Sequence, residues 1–517
     1  MQDLLDHAHA QGSHGDVAWL SGMCSDSPHS PDLWVQLAQL LADLGRDGDA
    51  QAALRSGLAA NPGDMALLTA QAEVCVKGKR FAQGVTHYKA LLTVEPHNVR
   101  NLVQLGQCLQ FSYILKEAAA CYEEALRLSP DLRQAHTNLG SVLWRLGDFD
   151  GSLRHAEKAF ELEPGDIQSL CILGGMLIQL NRLDDAEQVL RHLLARVPDF
   201  PPARSGLAYL LLQAGRFEEG WLEHQKRWAD GTYAASIKRR RPELEWAGPH
   251  AQPLHGKTIL FYYEQCWGDV IQLVRYVRLL QRGGATVYCD VQPELSALVE
   301  SIPGVTCLKP GQTSVAADYQ VAMFDLPLHY RSDEASIPRE VPYLHASPDK
   351  AARWRQKMSR WDGQFKVGIA WVGNRIHLNQ QNRCTPLSAF KDIIDLPGVQ
   401  CFSLQKSDGE QFTDVAVDAG SLVDFTPEWQ DFSDSAAMVA NLDLIISVDS
   451  AVVHLAAAMG KPTWVILPPN ADWRWLLERN DSPWYPTMKL FRRSHDETRA
   501  AQMARVVKAL KALLKKR

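Results

Sequence analysis

Residues 447–467 read SVDSAVVHLAAAMGKPTWVIL, in which two apolar segments of strand length flank a short polar loop and a helix of small residues. Gly460 and the proline two residues later are typical of a helix C-terminus. Strand, helix and strand in this order predict a β-α-β unit of a buried parallel sheet. The loop before the helix carries Asp449, Ser450 and, one turn further on, His454. Because ligands bind at the carboxyl ends of such strands, these side chains are candidate site residues.

The same alternation of strands and helices covers the chain from residue 257 onward. Short apolar segments alternate with amphipathic segments of helix length, and a second series begins after residue 346. The apolar segments predicted to be strands are residues 258–263, 285–291, 304–308, 365–373, 399–405, 422–425, 442–448 and 462–467. This alternation predicts a parallel sheet in each half. We therefore predict two Rossmann-like domains, residues 257–345 and 346–517, with a cleft at the carboxyl ends of their strands. Residues 226–256, rich in Pro, Gly and basic residues, are predicted to be an ordered linker.

The first 225 residues follow a different pattern, which repeats. Prolines recur every 34 residues, each between two amphipathic helices, at Pro62, Pro96, Pro130, Pro164 and Pro198. This is the tetratricopeptide period, and it predicts about six units over residues 1–225. Leu-Gly pairs at 105–106, 139–140 and 173–174 occupy equivalent positions, where a small residue lets the two helices of a repeat approach closely. Such arrays form a superhelix whose concave side commonly holds extended peptide. A purely supporting role or a homodimer contact remains open.

Length, composition and charge exclude several classes of protein. The 517 residues are too many for one core, and 46% hydrophobic with 22% charged residues is typical of globular protein. With a formal net charge of -6, the chain lacks the excess of basic residues that is typical of nucleic-acid-binding proteins. The sequence has neither a signal-peptide pattern nor an apolar segment of about 18 residues. We therefore expect a cytoplasmic protein without membrane insertion, whose ten scattered cysteines are reduced thiols.

Hydrogen-bond donors follow the first two strands of the second half. A long polar loop after the first strand and the end of the second strand together contribute Asn374, His377, Arg383, Gln405 and Lys406. Arginine, histidine and lysine are suited to phosphate oxygens. These residues are therefore candidates for binding a phosphate group of a ligand, although a polar loop can also be merely solvated.

The start of the helix in residues 447–467 is a second candidate anion site. The backbone N–H groups of Ala451, Val452 and Val453, together with the positive end of the helix dipole, favour a negatively charged group. His454 would face the same group. A helix capped by Asp449 or Ser450, with a buried histidine, is the structural alternative. The site, if occupied, would hold a diphosphate leaving group.

A turn after the first strand of the first half contains the candidate catalytic residue. Residues 264–276 read EQCWGDVIQLVRY, where Gly268 permits a tight turn and Asp269 falls at the start of a helix. Asp269 either caps the helix, which stabilises it by about 1 kcal/mol, or accepts a proton from an attacking hydroxyl in the cleft. Neither half has the glycine-rich dinucleotide motif or a P-loop.

Several segments taken together resemble one known family. They are residues 264–280, 367–383, 402–406, 445–468 and 472–493. The chain is similar to bacterial tetratricopeptide-repeat glycosyltransferases, and through them to heptosyltransferases and, more distantly, protein O-GlcNAc transferases. The resemblance implies the GT-B fold, a nucleotide sugar bound mainly by the C-terminal domain, and inverting transfer, usually without a metal. It also implies that Asp269 is the catalytic base, which favours the base over the cap, with Glu264, Gln265 and Gly268 on the acceptor side.

The resemblance further implies a protein O-glycosyltransferase whose repeats recruit the acceptor. Flagellin is a candidate acceptor, because some flagellin glycosyltransferases share this layout. A non-catalytic repeat scaffold with a degenerate transferase domain and a transferase acting on glycan or lipid remain alternatives. Cys266, Trp267 and Gln380 depart from the residues usual in the family and put full activity and sugar specificity in doubt.

Three further expectations concern the site and its surroundings. Trp473, directly after the last predicted strand, is placed near the nucleotide base or sugar, although aromatic clusters are more often packing. The C-terminal helix is expected to cross back and brace the first Rossmann-like domain, as in GT-B proteins. No cofactor or metal is expected, because the two Asp-x-Asp sequences, residues 47–49 and 148–150, fall in turns between repeat helices.

Overall fold

The computed structural model describes residues 14–312, 315–373, 383–406, 413–415, 418 and 420–516. The chain divides into two compact units, one up to Met176 and the other Leu177–Arg517. The division does not fall at residue 225, where the sequence pattern changes. The last repeat helices therefore belong to the same compact unit as the two sheets.

Paired helices form the repeat array, as the 34-residue period predicts. They are α1 (His14–Asp26), α2 (Pro31–Asp43), α3 (Asp47–Ala60), α4 (Met65–Lys77), α5 (Phe81–Val94), α6 (Val99–Phe111), α7 (Leu115–Leu128), α8 (Arg133–Leu146), α9 (Phe149–Leu162), α10 (Ile167–Gln179), α11 (Leu183–Arg196), α12 (Pro201–Gln213) and α13 (Phe217–Gln225). One left-handed residue lies in the turn inside each helix pair, at intervals of 34 residues: Gly45, Lys79, Tyr113, Gly147, Asn181 and Gly215. These six turns correspond to the six predicted units.

Glycines bring the two helices of a repeat into close contact. A Cβ atom at Gly106 in α6 would lie 2.7 Å from Cε1 of Tyr122 in α7. A Cβ atom at Gly140 in α8 would lie 3.2 Å from the carbonyl oxygen of Ser152 in α9. Both distances are shorter than ordinary van der Waals contact, so a larger side chain would push the helices apart. The role predicted for the Leu-Gly pairs is thus confirmed at these two positions.

The first half of the region after the linker contains a four-stranded parallel sheet of order β3-β2-β1-β4. Its strands are β1 (Thr258–Tyr262), β2 (Thr286–Asp290), β3 (Val305–Cys307) and β4 (Tyr319–Ala322). Its helices, with one from the linker, are α14 (Gly231–Ser236), α15 (Trp267–Leu273), α16 (Val277–Arg282), α17 (Pro293–Val299) and α18 (Leu326–His329). Strands β1 to β3 coincide with predicted apolar segments, whereas β4 was not predicted.

The second half contains a six-stranded parallel sheet of order β10-β9-β8-β5-β6-β7. Its strands are β5 (Phe365–Ala370), β6 (Val399–Ser403), β7 (Leu422–Asp424), β8 (Leu444–Val448), β9 (Thr463–Leu467) and β10 (Met488–Arg492). Its helices are α19 (Pro348–Lys357), α20 (Lys391–Ile394), α21 (Phe432–Val439), α22 (Ala451–Ala458) and α23 (Arg499–Leu514). The helical repeat array followed by two parallel, Rossmann-like sheets is the predicted GT-B arrangement. Among the described residues, no helix combines the length and apolar character that crossing a membrane requires.

The C-terminal helix α23 packs on the second sheet. Its buried residues Met503, Val506 and Leu510 share a core with Val367 of β5. Its Gln502 side chain donates hydrogen bonds to backbone carbonyl groups at the carboxyl ends of β9 and β10, at 2.8 and 2.6 Å. The amphipathic helix thus completes the core of its own domain, whereas the family resemblance led us to expect it against the first domain.

A partly buried carboxyl group lies where the linker meets the first sheet. The Tyr262 hydroxyl and the Gln320 amide donate to Oε1 of Glu245 at 2.7 and 3.2 Å. Burial raises the pKa of Glu245 to about 7. A glutamate in an unfolded chain has a pKa of about 4.3. The folded protein therefore holds one more proton than the unfolded chain between these two pH values.

This difference predicts how stability depends on pH. The contribution of Glu245 to stability falls as pH rises from about 4.5 to about 7, because the folded state must then release a proton that it holds more tightly. Glu245→Gln, which retains the acceptor for Tyr262, should raise the free energy of unfolding at pH 8 by up to about 3 kcal/mol. The difference should vanish near pH 4, where Glu245 is neutral in both states. Urea unfolding between pH 4 and pH 8 measures the free energy of unfolding of both proteins, and Glu243→Gln, a change at an exposed glutamate, is the control. The prediction is wrong if the free energies of unfolding of wild type and Glu245→Gln change with pH in the same way.

Candidate functional site

Helix α22 begins at the carboxyl end of β8, where the sequence placed an anion site. Ser450 occupies the N-cap position, but among the described residues no side-chain hydrogen bond caps this helix. The Ser450 hydroxyl instead lies 3.2 Å from that of Ser447, and the Val453 N–H donates to the Ser450 carbonyl at 3.2 Å. The expectation that Asp449 or Ser450 caps the helix is therefore wrong. Of the three predicted amides, that of Val453 already has a partner, while Ala451 and Val452 are half-buried at the helix start.

Arg383 joins the polar loop to the helix start. Its Nη2 atom donates to Oδ2 of Asp449 at 2.7 Å and to the Asp449 carbonyl oxygen at 3.3 Å. The Nε atom of Arg383 is buried without a partner among the described residues. Burial lowers the pKa of the Arg383 guanidinium, but Asp449 and Asp472 raise it by more. The guanidinium therefore stays charged beside the start of α22.

The first turn of α15 in the first half packs directly against α22 in the second half. A Cβ atom at Gly268 would lie 3.0 Å from Cδ2 of His454 and 3.7 Å from Cα of Ala451. Gly268 does not have a left-handed conformation. The sequence therefore identified the right glycine for the wrong reason, because close approach of the two halves, and not a tight turn, excludes a side chain.

Asp269 uses both carboxylate oxygens. Oδ2 accepts a hydrogen bond from the Cys266 N–H at 2.9 Å, which completes a capping box at the start of α15. Oδ1 forms an ion pair with the guanidinium of Arg474 from the second half. The side chain is 13% exposed. The capping role left open by the sequence is confirmed, and the carboxylate also lies where the two halves meet.

Arg474 is the site residue that the sequence analysis missed. It lies in a 3₁₀-helix, Trp473–Trp475, between Trp residues that drew attention as an aromatic cluster. Its guanidinium also donates to Asp472 at 2.7 Å and to the side chain of Gln272 in α15. Burial lowers the pKa of Arg474, but Asp472 and Asp269 raise it by more. The available signal was a charged residue among tryptophans, a few positions after the buried strand β9.

The charge of Asp269 depends on opposing influences. Burial raises the pKa of its carboxyl group, Arg474 lowers it, and the nearby carboxylates of Asp472 and Asp449 raise it again. The net direction is upward. A carboxylate whose pKa is raised is a better proton acceptor than one on the surface, and catalytic bases are tuned in this way.

His454 and Trp473 have packed environments. The Nδ1 atom of His454 lies 2.9 Å from the Tyr485 hydroxyl, and its ring stacks on Trp475 with centroids 5.4 Å apart. Burial lowers the pKa of His454 well below its usual value, so the ring is neutral at pH 7. Trp473 is buried edge to face against Trp221 and Trp484. These surroundings favour the packing alternatives for both residues, and their contact with a donor stays a prediction.

Three further predicted residues, Gln405, Lys406 and Gln265, have structural partners. Gln405 accepts from the backbone of Val372 at 2.9 Å, and Lys406 donates to the Trp429 carbonyl at 2.5 Å. Gln265 is exposed, and its carbonyl oxygen accepts a hydrogen bond from the Gln292 side chain at 2.6 Å. Asn374, His377 and Gln380 lie outside the described residues. Among the residues that are described, no three His, Cys, Asp or Glu side chains form a group that could hold a metal ion.

Glu264 belongs to a buried charge cluster that attaches the linker to the first sheet. Arg227 donates to its two carboxylate oxygens at 2.8 and 3.0 Å and to Asp325 at 2.8 Å. The side chains of Arg227, Glu264 and Asp325 are 8%, 0% and 6% exposed. The Tyr233 hydroxyl also donates to Glu264 at 2.9 Å. The Glu264 carboxylate is therefore fully buried and held by residues of the linker.

Comparison with protein families bears on this region. The family model Glycosyltransferase family 9 (heptosyltransferase) matches residues 423–474. The match begins in β7 and includes Asp449, α22 and Arg474. The chain is a GT-B glycosyltransferase. Tetratricopeptide-repeat models match residues 31–74, 115–147, 143–202 and 177–220 of the glycosyltransferase, in agreement with the repeat helices.

Known proteins resemble the glycosyltransferase to different extents. Protein FlbA of Caulobacter vibrioides is 24% identical over 457 residues, which are 83% of this chain and 75% of that protein. General transcriptional corepressor trfA of Dictyostelium discoideum is 27% identical over 128 residues, 25% of this chain and 9% of that protein. The crystal structure of a thermophilic tetratricopeptide protein of Thermus thermophilus covers 35% of this chain and 100% of its own, with 22% identity and a TM-score of 0.31.

Proposed function

We propose that the glycosyltransferase transfers a sugar from a nucleotide-sugar donor to a Ser or Thr hydroxyl of a protein that its repeats recruit. Flagellin is the first candidate acceptor. The observation that carries this proposal is the organisation of the second compact unit, in which repeat helices α11 to α13 and both transferase sheets occur together. Tetratricopeptide arrays bind extended peptide, so this arrangement supports delivery of a peptide to the transferase.

The proposed mechanism assigns proton transfer to Asp269. Its carboxylate would accept the proton of the acceptor hydroxyl as that oxygen attacks the anomeric carbon and the bond to the nucleotide diphosphate breaks. Attack opposite the leaving group would invert the configuration of that carbon. The positive charge of Arg474 supports the ionised form of the base, because it lowers a pKa that burial raises.

The leaving group would lie at the start of α22. Negative charge develops on the diphosphate as the sugar departs, and Arg383 and the amides of Ala451 and Val452 would stabilise it. Arg383 is suited to this role because it remains charged and one of its N–H groups has no partner among the described residues. No two of the described cysteines are joined by a disulfide bond, which supports a reducing compartment such as the cytoplasm.

Two measurements test the proposal. Calorimetric titration with a panel of nucleoside diphosphates should identify one that binds wild type and binds Arg383→Gln at least about tenfold more weakly. Intact-mass analysis of flagellin from the source organism, incubated with the enzyme and sugars of that nucleotide, should show an added hexose- or heptose-sized mass on Ser or Thr. Binding without any mass shift on protein would contradict a protein acceptor, and binding of no nucleotide would contradict the donor site.

A further inference from the structure

Residues 468–476, which run from the end of β9 through the 3₁₀-helix of Arg474, are attached to the repeats. We call this segment the cleft loop. The carbonyl oxygen of Ala471 accepts a hydrogen bond from Nε2 of Gln213 at 2.9 Å and from the Tyr209 hydroxyl at 3.4 Å. Both residues lie in repeat helix α12 and belong to the same compact unit as the loop. The residue after Ala471 is Asp472, which pairs with Arg474.

Further contacts join the cleft loop to the end of repeat helix α10 and to α13. Nδ2 of Asn181 donates to the Pro469 carbonyl at 3.2 Å, and Asn470 forms a side-chain hydrogen bond with Gln179. Gln179 and Gln213 are 34 residues apart and therefore occupy the same position in successive repeats. The indoles of Trp221 in α13 and Trp473 pack edge to face, with centroids 5.2 Å apart. Two successive repeats thus contact consecutive residues of the cleft loop.

The other end of the cleft loop is held from within the second domain. Nη2 of Arg492, at the end of β10, donates to the carbonyl groups of Trp475 and Leu476 at 3.0 and 2.7 Å. Leu476 has a φ of 49°, which is unfavourable for a residue with a branched side chain and persists only where the surroundings impose it. Arg474 lies between these two attachment points. Its position therefore depends on α12 at one end and on Arg492 at the other.

Arg474 connects this loop to the proposed base. Its guanidinium reaches Asp269 and Gln272 of α15, while Asp472 of the cleft loop accepts from it at 2.7 Å. A charged hydrogen bond depends steeply on distance and angle. Displacement of the loop by about 1 Å would therefore weaken the ion pair that supports the ionised carboxylate.

From these contacts we propose that Tyr209 and Gln213 are positioning residues of the transferase, which act through Ala471, Asp472 and Arg474 on Asp269. The last repeats then have two roles, in acceptor binding and in the geometry of the catalytic carboxylate. This inference rests on the proposed role of Asp269 as base. It predicts that loss of the α12 contacts affects chemistry even when the acceptor is saturating.

The double variant Tyr209→Phe/Gln213→Leu in the full chain tests the proposal. It should lower kcat for transfer to flagellin about tenfold or more, with the acceptor KM changed less than threefold. The acid limb of the kcat profile should move to higher pH, because a displaced Arg474 no longer lowers the pKa of Asp269. The matched control is Tyr88→Phe/Gln110→Leu, which alters a buried tyrosine and a glutamine in repeat helices α5 and α6. If both double variants have the same kcat and the same acid limb, the positioning role is wrong.

Hydrogen exchange separates failure of this proposal from failure of the proposed function, because it requires no substrate. In the full-length protein, Tyr209→Phe/Gln213→Leu should increase amide exchange of residues 468–476 and of the 266–270 turn about tenfold, and the control should not. If the double variant exchanges faster but the wild-type protein has no transferase activity, the attachment of the cleft loop to α12 is supported and only the proposed enzyme mechanism is contradicted. Unchanged exchange in both segments would contradict the attachment itself.

Discussion

Replacing Asp269 by Asn is expected to lower the rate of sugar transfer by about 10²- to 10⁴-fold, the usual contribution of a general base. Asparagine has nearly the same shape, and its carbonyl oxygen can still accept the hydrogen bond from the Cys266 N–H that completes the capping box. It cannot take the proton of the acceptor hydroxyl at neutral pH. Single-turnover transfer to saturating acceptor measures the change, since it isolates the chemical step from product release.

Two controls determine whether the loss belongs to the base. Calorimetry should give the same nucleotide affinity for Asp269→Asn as for wild type, because the proposed donor site lies in the second domain. Asp290→Asn changes another buried aspartate, at the end of β2, which forms an ion pair with Arg239. This variant should retain transfer within about threefold. Transfer by Asp269→Asn at a near-normal rate would show that another group accepts the proton.

Replacing Arg227 by Met is expected to destabilise the protein by about 3–5 kcal/mol. The change leaves the carboxylates of Glu264 and Asp325 buried without the guanidinium that binds both of them. An uncompensated buried charge costs far more than the ion pair itself contributes. Thermal unfolding should show a Tm lower by about 10 °C for the transition of the second compact unit, Leu177–Arg517.

Partial rescue distinguishes charge from packing. Adding Glu264→Gln and Asp325→Asn to Arg227→Met should restore part of the lost stability, because these changes remove the uncompensated charges. Lys257→Met breaks an exposed ion pair with Asp318 in the same unit and should change stability little. If Arg227→Met is no more destabilising than Lys257→Met, the cluster does not attach the linker. If the rescued triple variant is stable but does not transfer sugar, Glu264 contributes to the acceptor side of the site.

The sequence predicted those parts of the fold that repeat or alternate locally. The 34-residue spacing of prolines identified the helix pairs, and the alternation after residue 257 identified eight of the ten described strands. Strands β4 and β10 escaped prediction. β4 has the short sequence YQVA, and β10 follows a proline-rich aromatic segment, so neither has a long apolar pattern of its own. Their place in the sheets depends on neighbouring strands.

The candidate site was predicted less completely, for a related reason. The sequence located Asp269, Arg383 and Asp449 at strand ends, and the structure places all three near the contact between α15 and α22. It could not show that Arg474 is the partner of Asp269, 205 positions away in the chain. Lys406 was placed with this group, but its amino group donates to the Trp429 carbonyl.

The sequence by itself determined the repeat period, the two parallel sheets and the turn that carries Asp269, since each is encoded by residues close together in the chain. The tertiary structure alone decided which charges meet. In the folded protein Arg474 forms an ion pair with Asp269, and Arg383 forms one with Asp449. Gln213 of the last repeat holds the cleft loop by a hydrogen bond. Ion pairs and hydrogen bonds act over a few ångströms, so their partners depend on how the strands and helices pack together.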